Sequence, residues 1–218
     1  MEKYFEGEEF TEEEFNKGLM SGIASCSIAP VVCCSAVKGT GVKEVLDACI
    51  KFVPAPGGAV KTADGEEVAY GDGPVAAYVF KTIADPFLGK ISLAKLIRVK
   101  LVPAQIIYNA RAEKEEKLGS MFFLRGKTQG EAPQVLPGDI VAFAKLQYTQ
   151  TGDTLCEKAN QVAFPPVEFP QPTLFIAVES KAKGDDAKVA AGITKLKEED
   201  PSFSFERNAE TRQSLLGT

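Results

Sequence analysis

The sequence predicts a multi-domain protein in three parts: an α/β remnant over residues 1–56, an all-β barrel over 75–168, and an incomplete α+β domain of the ferredoxin-like, split βαβ kind over 169–218. Three observations carry this. The first part holds two helical stretches around one short apolar run. The second holds short strand-like runs separated by turn signals. The third reads strand, helix, strand, strand and stops there.

In the first part, Thr11-Glu12-Glu13-Glu14 is a capping box, in which the Thr11 hydroxyl caps the Glu14 amide and the Glu14 carboxylate reaches back. Phe15, Leu19 and Ile23 follow at helical spacing, so a helix is expected over about 12–22. Ile28 to Ala36 is nearly continuous in apolar residues, the pattern of a buried strand. From Gly41 the period changes: Val42, Val45, Leu46, Cys49, Ile50 and Val53 line one face of a second helix, which Pro54 and Pro56 stop. Helix, strand, glycine loop and helix form the closing unit of an α/β domain, too short to be one alone.

Residues 57–74 are rich in proline, glycine and charge, and read as a linker with room for one short hairpin. Strands are expected next at 75–83 and 90–101. In the latter, Ile91, Leu93, Ile97, Val99 and Leu101 alternate with Lys90, Ser92, Arg98 and Lys100. Further strands are expected at 104–109, 119–125, 139–147 and 161–164, with turns at Pro137-Gly138-Asp139 and Thr151-Gly152-Asp153. Strands at this spacing point to a small closed barrel. In the last part the reading is strand 173–179, helix 185–198 and strands 201–207 and 213–216.

Composition is that of a globular protein: 218 residues, 44% hydrophobic, 25% charged, net charge −5. No apolar run is long enough to cross a membrane, and the acidic N-terminus lacks the pattern of a secretion signal, so the expected location is cytoplasmic. Charge is uneven. Residues 75–170 carry 12 basic and 9 acidic groups, and from Pro86 to Ala112 there are five basic residues and no acid. Such a strip reads either as a face for an anionic partner or as a solvated strand edge.

The stretch VVCCSAVKGTGV, residues 31–42, admits three readings: a thiol site, a phosphate loop, or a strand end that offers its backbone to a ligand. Cys33 and Cys34 as strand neighbours point to opposite faces and pair poorly. With no histidine and no CxxC, a zinc site would need an unusual shell, and the five cysteines read as packed side chains. Neither GxxxxGK[ST] nor GxGxxG is present. Small residues at a strand end before a glycine loop do let backbone amides approach a planar ligand. No complete catalytic constellation is visible.

Cys34-Ser35-Ala36-Val37-Lys38-Gly39-Thr40-Gly41-Val42 resembles the fifth guanine-nucleotide motif of translational GTPases, with Cys34 where elongation factor G has glycine. Thr82 to Lys90 resembles the start of that factor's second domain, and Gly138 to Ala142 and Thr151 to Cys156 resemble its end. Glu168 to Pro172, Leu196 to Phe203 and Gln213 to Thr218 resemble its third domain. The motifs run in order along essentially the whole chain. Arg111 to Gly119 and the short linker are closer to elongation-factor-G-like paralogues than to the housekeeping factor.

The resemblance implies a fragment of a translational GTPase. Ser35 and Ala36, with Lys38 nearby, would form one wall of the guanine pocket. The intact parent would bind GTP and magnesium and hydrolyse GTP on the ribosome to drive translocation or a related step. The P-loop, DxxG and NKxD motifs would lie before Met1, so this piece is expected to carry no cofactor and no activity alone. Its partners would be small-subunit RNA and the parent's missing GTPase core and C-terminal domains, with no membrane. Lys90, Lys95, Arg98, Lys100 and Arg111 are the implied ribosome contacts, with Lys114, Lys117, Arg125 and Lys127 extending them. Two rivals stand beside this reading: a free-standing, non-catalytic barrel that docks RNA, and a thiol enzyme using Cys33 or Cys34.

Overall fold

A computed structural model describes residues 3, 5, 7–126, 128–180, 182, 184–211 and 213–218. Lys127, named above among the basic residues, lies outside them. The chain divides into two compact units, Met1–Gly57 and Gly58–Thr218.

The first unit is built on helices α1 (Glu12–Ala24) and α2 (Val42–Phe52). The capping box forms: the Glu14 amide donates to Thr11 Oγ1 at 3.3 Å, and the Thr11 amide donates to Glu14 Oε2 at 3.0 Å. Neither helix buries a residue. The expected strand over Ile28–Ala36 does not form; Ser35 pairs only with Thr40. A strand needs a neighbour for its amides and carbonyls, and the described residues of this unit supply no other. For the same reason the cysteine expectation is corrected: Cys26, Cys33, Cys34 and Cys49 are exposed, and only Cys156, in the second unit, is buried.

The second unit opens with a hairpin, β1 (Ala59–Lys61) and β2 (Glu67–Ala69), across the segment read as a linker. Val68 of this hairpin packs with Ala76, Ile97 and Phe164 on the outside of the barrel. The barrel comprises β3 (Ala76–Asp85), β4 (Gly89–Arg98), β5 (Ile106–Asn109), β6 (Lys114–Lys117), β7 (Met121–Arg125), β8 (Thr128–Glu131), β9 (Ile140–Ala144) and β10 (Thr154–Cys156). Every pairing is antiparallel, in the order β6-β5-β10-β3-β4-β9-β7-β8. Strands β6 and β7 are separated in sequence only by Leu118, Gly119 and Ser120, yet they stand near opposite ends of that order. The sheet therefore curls on itself. Val79, Leu96, Ile107, Leu118, Phe143 and Leu155, from several of these strands and a connecting loop, fill the interior.

Strand β4 is covered on both faces. Ile91 joins an outer cluster with Phe122 and Ala142, while Ala94 and Leu96 enter the inner one. Ser92, read as standing opposite the apolar row, is fully buried, and its hydroxyl has no hydrogen-bond partner among the described residues. The expected strand at 161–164 is also absent. That segment is pinned by single bonds, from the Phe164 amide to Thr154 Oγ1 and from the Ala63 amide to the Ala163 carbonyl, and not by a ladder.

The last part forms an antiparallel sheet, β11 (Phe175–Val178), β12 (Ser204–Arg207) and β13 (Ser214–Gly217), in the order β11-β13-β12. Helix α3 (Asp186–Glu199) lies between β11 and β12 in sequence and packs against barrel strand β3. The multi-domain β-barrel and α+β class read from sequence is the observed one.

Candidate functional site

The loop after Cys34 is closed by one bond, from the Ser35 amide to the Thr40 carbonyl at 2.8 Å. The Lys38 amide also reaches Ser35 Oγ at 3.4 Å. Gly39 and Gly41 both take left-handed backbone, with φ 72° and 76°. At Gly41 a Cβ would sit 2.5 Å from the Cys33 carbonyl oxygen, so the position excludes a side chain as well as favouring glycine. The result is a tight turn with Ser35 half-buried and Ala36 and Lys38 exposed. These three residues thus share one small loop, and Ala36 adds only a methyl group to an open surface.

The five basic positions do not share one face. Lys90 and Lys95 are five residues apart on β4, which puts them on opposite sides of the strand. Lys90 faces Glu198 of α3 at 3.9 Å. Lys95 lies over the Tyr70 ring, 5.5 Å from its centroid. Arg98 Nε donates to the Ala69 carbonyl at 2.9 Å and holds β2 to the barrel. Arg111 donates through Nε and Nη2 to the two oxygens of Asp153 and through Nη2 to the Tyr148 carbonyl. Lys100 is exposed and makes no ion pair or side-chain hydrogen bond with the described residues.

Around Arg111 lies a buried polar network that the sequence did not disclose. Asp153, 2% exposed, accepts from Arg111, from Asn109 Nδ2 at 2.8 Å and from the Gln150 amide at 2.7 Å. The carboxylate in turn holds the Arg111 guanidinium above its ordinary pKa, chiefly by hydrogen bonding. On the neighbouring strand, Glu116 accepts from the Gln147 and Tyr148 amides and from Thr149 Oγ1. Two inward carboxylates thereby hold the 147–153 loop. Its signal in the sequence was the run of Glu113, Glu115 and Glu116 among Arg111, Lys114 and Lys117, which reads as solvated charge. Burial and the Asp153 field raise the Tyr78 phenol above its usual range, and burial pushes up the Cys156 thiol.

The cations without an ion pair or ring contact among the described residues of the barrel include Lys117 and Lys145. Together with Ser120, Phe122 and Gln129 they line one groove beside β7 and β9. The end of α3 makes a long-range contact with the barrel. Glu199 Oε1 accepts the Ala84 amide at 2.7 Å, a bond across 115 positions of sequence.

A barrel followed by this sheet-and-helix part defines a class: the chain is translation-elongation-factor-like. Residues 74–158 match the family described as Elongation factor G domain 2, and residues 169–218 match Elongation Factor G, domain III. A crystal structure of the protein ttk003000868 from Thermus thermophilus superposes with a TM-score of 0.79 and 30% identity over 99% of this chain. The chain spans 31% of that protein's length. The chain belongs to the elongation factor G family, as an elongation-factor-G-like piece containing domains 2 and III. No helix among the described residues is long and apolar enough to cross a membrane.

Proposed function

We propose that this chain is the ribosome-docking part of an elongation-factor-G-type GTPase. In this reading the whole protein binds GTP with magnesium in the cytoplasm and uses its hydrolysis to drive translocation or a related step. The observation that carries the reading is the order of the two matched domains, 2 and then III, with α3 bonded directly to the barrel through Glu199 and Ala84. Such a bonded pair moves as one body and transmits a nucleotide-driven change to the ribosome.

The Ser35–Gly41 turn supports the nucleotide half of this reading. Its small, exposed Ala36 leaves room for a planar base to lie against the backbone, with the Lys38 ammonium beside it. Contacts to small-subunit RNA fall to the cations that the fold leaves free. Lys117 and Lys145 head that set because they converge in one groove, with Lys100 and Arg125 beside them in the count of exposed basic groups.

The nucleotide half is tested in the whole protein by Ala36→Trp. The indole occupies the space proposed for guanine, and GDP affinity should fall about tenfold or more, roughly 1.4 kcal/mol. Unchanged affinity removes Ala36 from the pocket wall.

A further inference from the structure

Between the barrel and α3 lies a cleft of about 340 Å³, partly enclosed and lined by both parts. Lys90, Thr82 and Thr151 come from the barrel side, and Lys197, Glu198 and Thr194 from the helix. Its size is at the lower end of small-ligand pockets.

Lys90 is the unusual member. Its side chain is only 15% exposed, and its nearest charged partner, Glu198, stands 3.9 Å away. That separation is an ion-pair distance and not a hydrogen bond. Most of the side chain is therefore packed away while its ammonium has no hydrogen-bond acceptor among the described residues and is available to a group that enters the cleft. Lys197 lines the same space and makes no ion pair among the described residues.

The hydroxyls add a donor. Thr82 Oγ1 and Thr151 Oγ1 are 2.9 Å apart, so one donates to the other. Whichever does so, the accepting hydroxyl keeps its own proton free for a third group. Thr194 has spent its proton on the Ala190 carbonyl at 2.9 Å and contributes only lone pairs. Two ammonium groups against one carboxylate leave the lining net positive.

We propose that this cleft binds a small oxyanion of the phosphate class, inorganic phosphate or the phosphoryl group of a small monoester. Lys90 and Lys197 grip it from opposite sides, and the free Thr82 or Thr151 proton points its orientation. Because one lysine belongs to β4 and the other to α3, the bound anion cross-links the barrel and the helix and tightens their docking. The volume admits a phosphoryl group with a small substituent.

The test is phosphorus NMR of inorganic phosphate with the full chain, at ionic strength held constant with chloride. Saturable line broadening is expected, weakened about tenfold by Lys197→Gln, an exposed substitution that leaves the fold intact, and further by Lys90→Gln. Phosphate should also slow hydrogen exchange of the Ala84 amide, a readout of helix docking. Glycerol phosphate competing for the same site supports the monoester source, and a dinucleoside monophosphate should not compete. Absence of saturable broadening overturns the proposal, as does broadening that persists in the double variant, which would put the anion elsewhere.

Discussion

Glu199 reaches from the last turn of α3 to take the Ala84 amide at 2.7 Å, and so fixes the third domain to the rim of the barrel's longest hairpin. Beside it, Glu198 faces Lys90 at 3.9 Å. These are different strengths of contact. Glu199→Ala should lower unfolding free energy by about 1–2 kcal/mol, as expected for a hydrogen bond to a charged acceptor. Glu198→Ala, at a partly exposed ion pair too long for a hydrogen bond, should cost less, about 1 kcal/mol or below. Urea titration of both variants checks the ranking, and equal effects would contradict it.

Asp153 is the barrel's most heavily bonded acid. Asp153→Ala should cost about 2–4 kcal/mol, since it leaves the buried Asn109 side chain and the Gln150 amide without their acceptor. Arg111→Ala should cost less, because the Arg111 side chain is half-exposed and Asp153 keeps its other donors. Thermal unfolding of the two variants gives the order directly. An Arg111 variant less stable than the Asp153 variant would contradict it.

Gly41 and Gly39 share left-handed backbone but differ in surroundings. A Cβ at Gly39 meets nothing within 4 Å, whereas at Gly41 it strikes backbone. Gly39→Ala should therefore cost about 1 kcal/mol, the left-handed penalty alone. Gly41→Ala should cost more and shift the amide resonances of residues 33–36. Identical spectra for the two variants would refute the close approach.

Acid should loosen α1 through Glu14. Its hydrogen bond with Lys3, and then that with the Thr11 amide, hold its carboxyl below the ordinary value of 4.5. A depressed folded-state value means that its contribution is present above the unfolded value and is lost as pH falls through the folded one. Carboxyl NMR should show Glu14 titrating below the ordinary glutamate value, with Lys3→Gln moving it upward. A midpoint at the ordinary value in the native chain would remove the capping contribution.

The thiols divide by burial. Cys26, Cys33, Cys34 and Cys49 are exposed and should react with an aromatic disulfide reagent within the first kinetic phase. Cys156 should wait for unfolding, since burial both shields it and raises its thiol pKa. Five equal rates would contradict the fold.

What the sequence disclosed follows from what local pattern encodes. Strands β3 and β4 and helices α1 and α2 were legible because apolar residues recur at strand or helical period. β8, Thr128 to Glu131, was not, since none of its side chains is buried and only its backbone pairing to β7 makes it a strand. β6 hid behind its charges, Lys-Glu-Glu-Lys, of which Glu116 alone turns inward. Ile28 to Ala36 carried the composition of a strand, but pairing depends on a neighbour that composition does not report. The Ser35–Gly41 turn was legible through its glycines. The basic strip is dispersed for the opposite reason: sequence counts charges, and the fold decides which of them meet Tyr70, Ala69, Asp153 or Glu198.

The most direct measurement is binding of the chain to purified small ribosomal subunits across a salt series. Saturable binding that weakens steeply with salt is predicted, with a log–log slope reduced by about one to two in the Lys117→Gln, Lys145→Gln double variant. Lys95→Gln and Arg98→Gln should leave the slope nearly unchanged. Absence of binding at low salt, or binding indifferent to salt, would contradict the assignment of this chain as a ribosome-docking module.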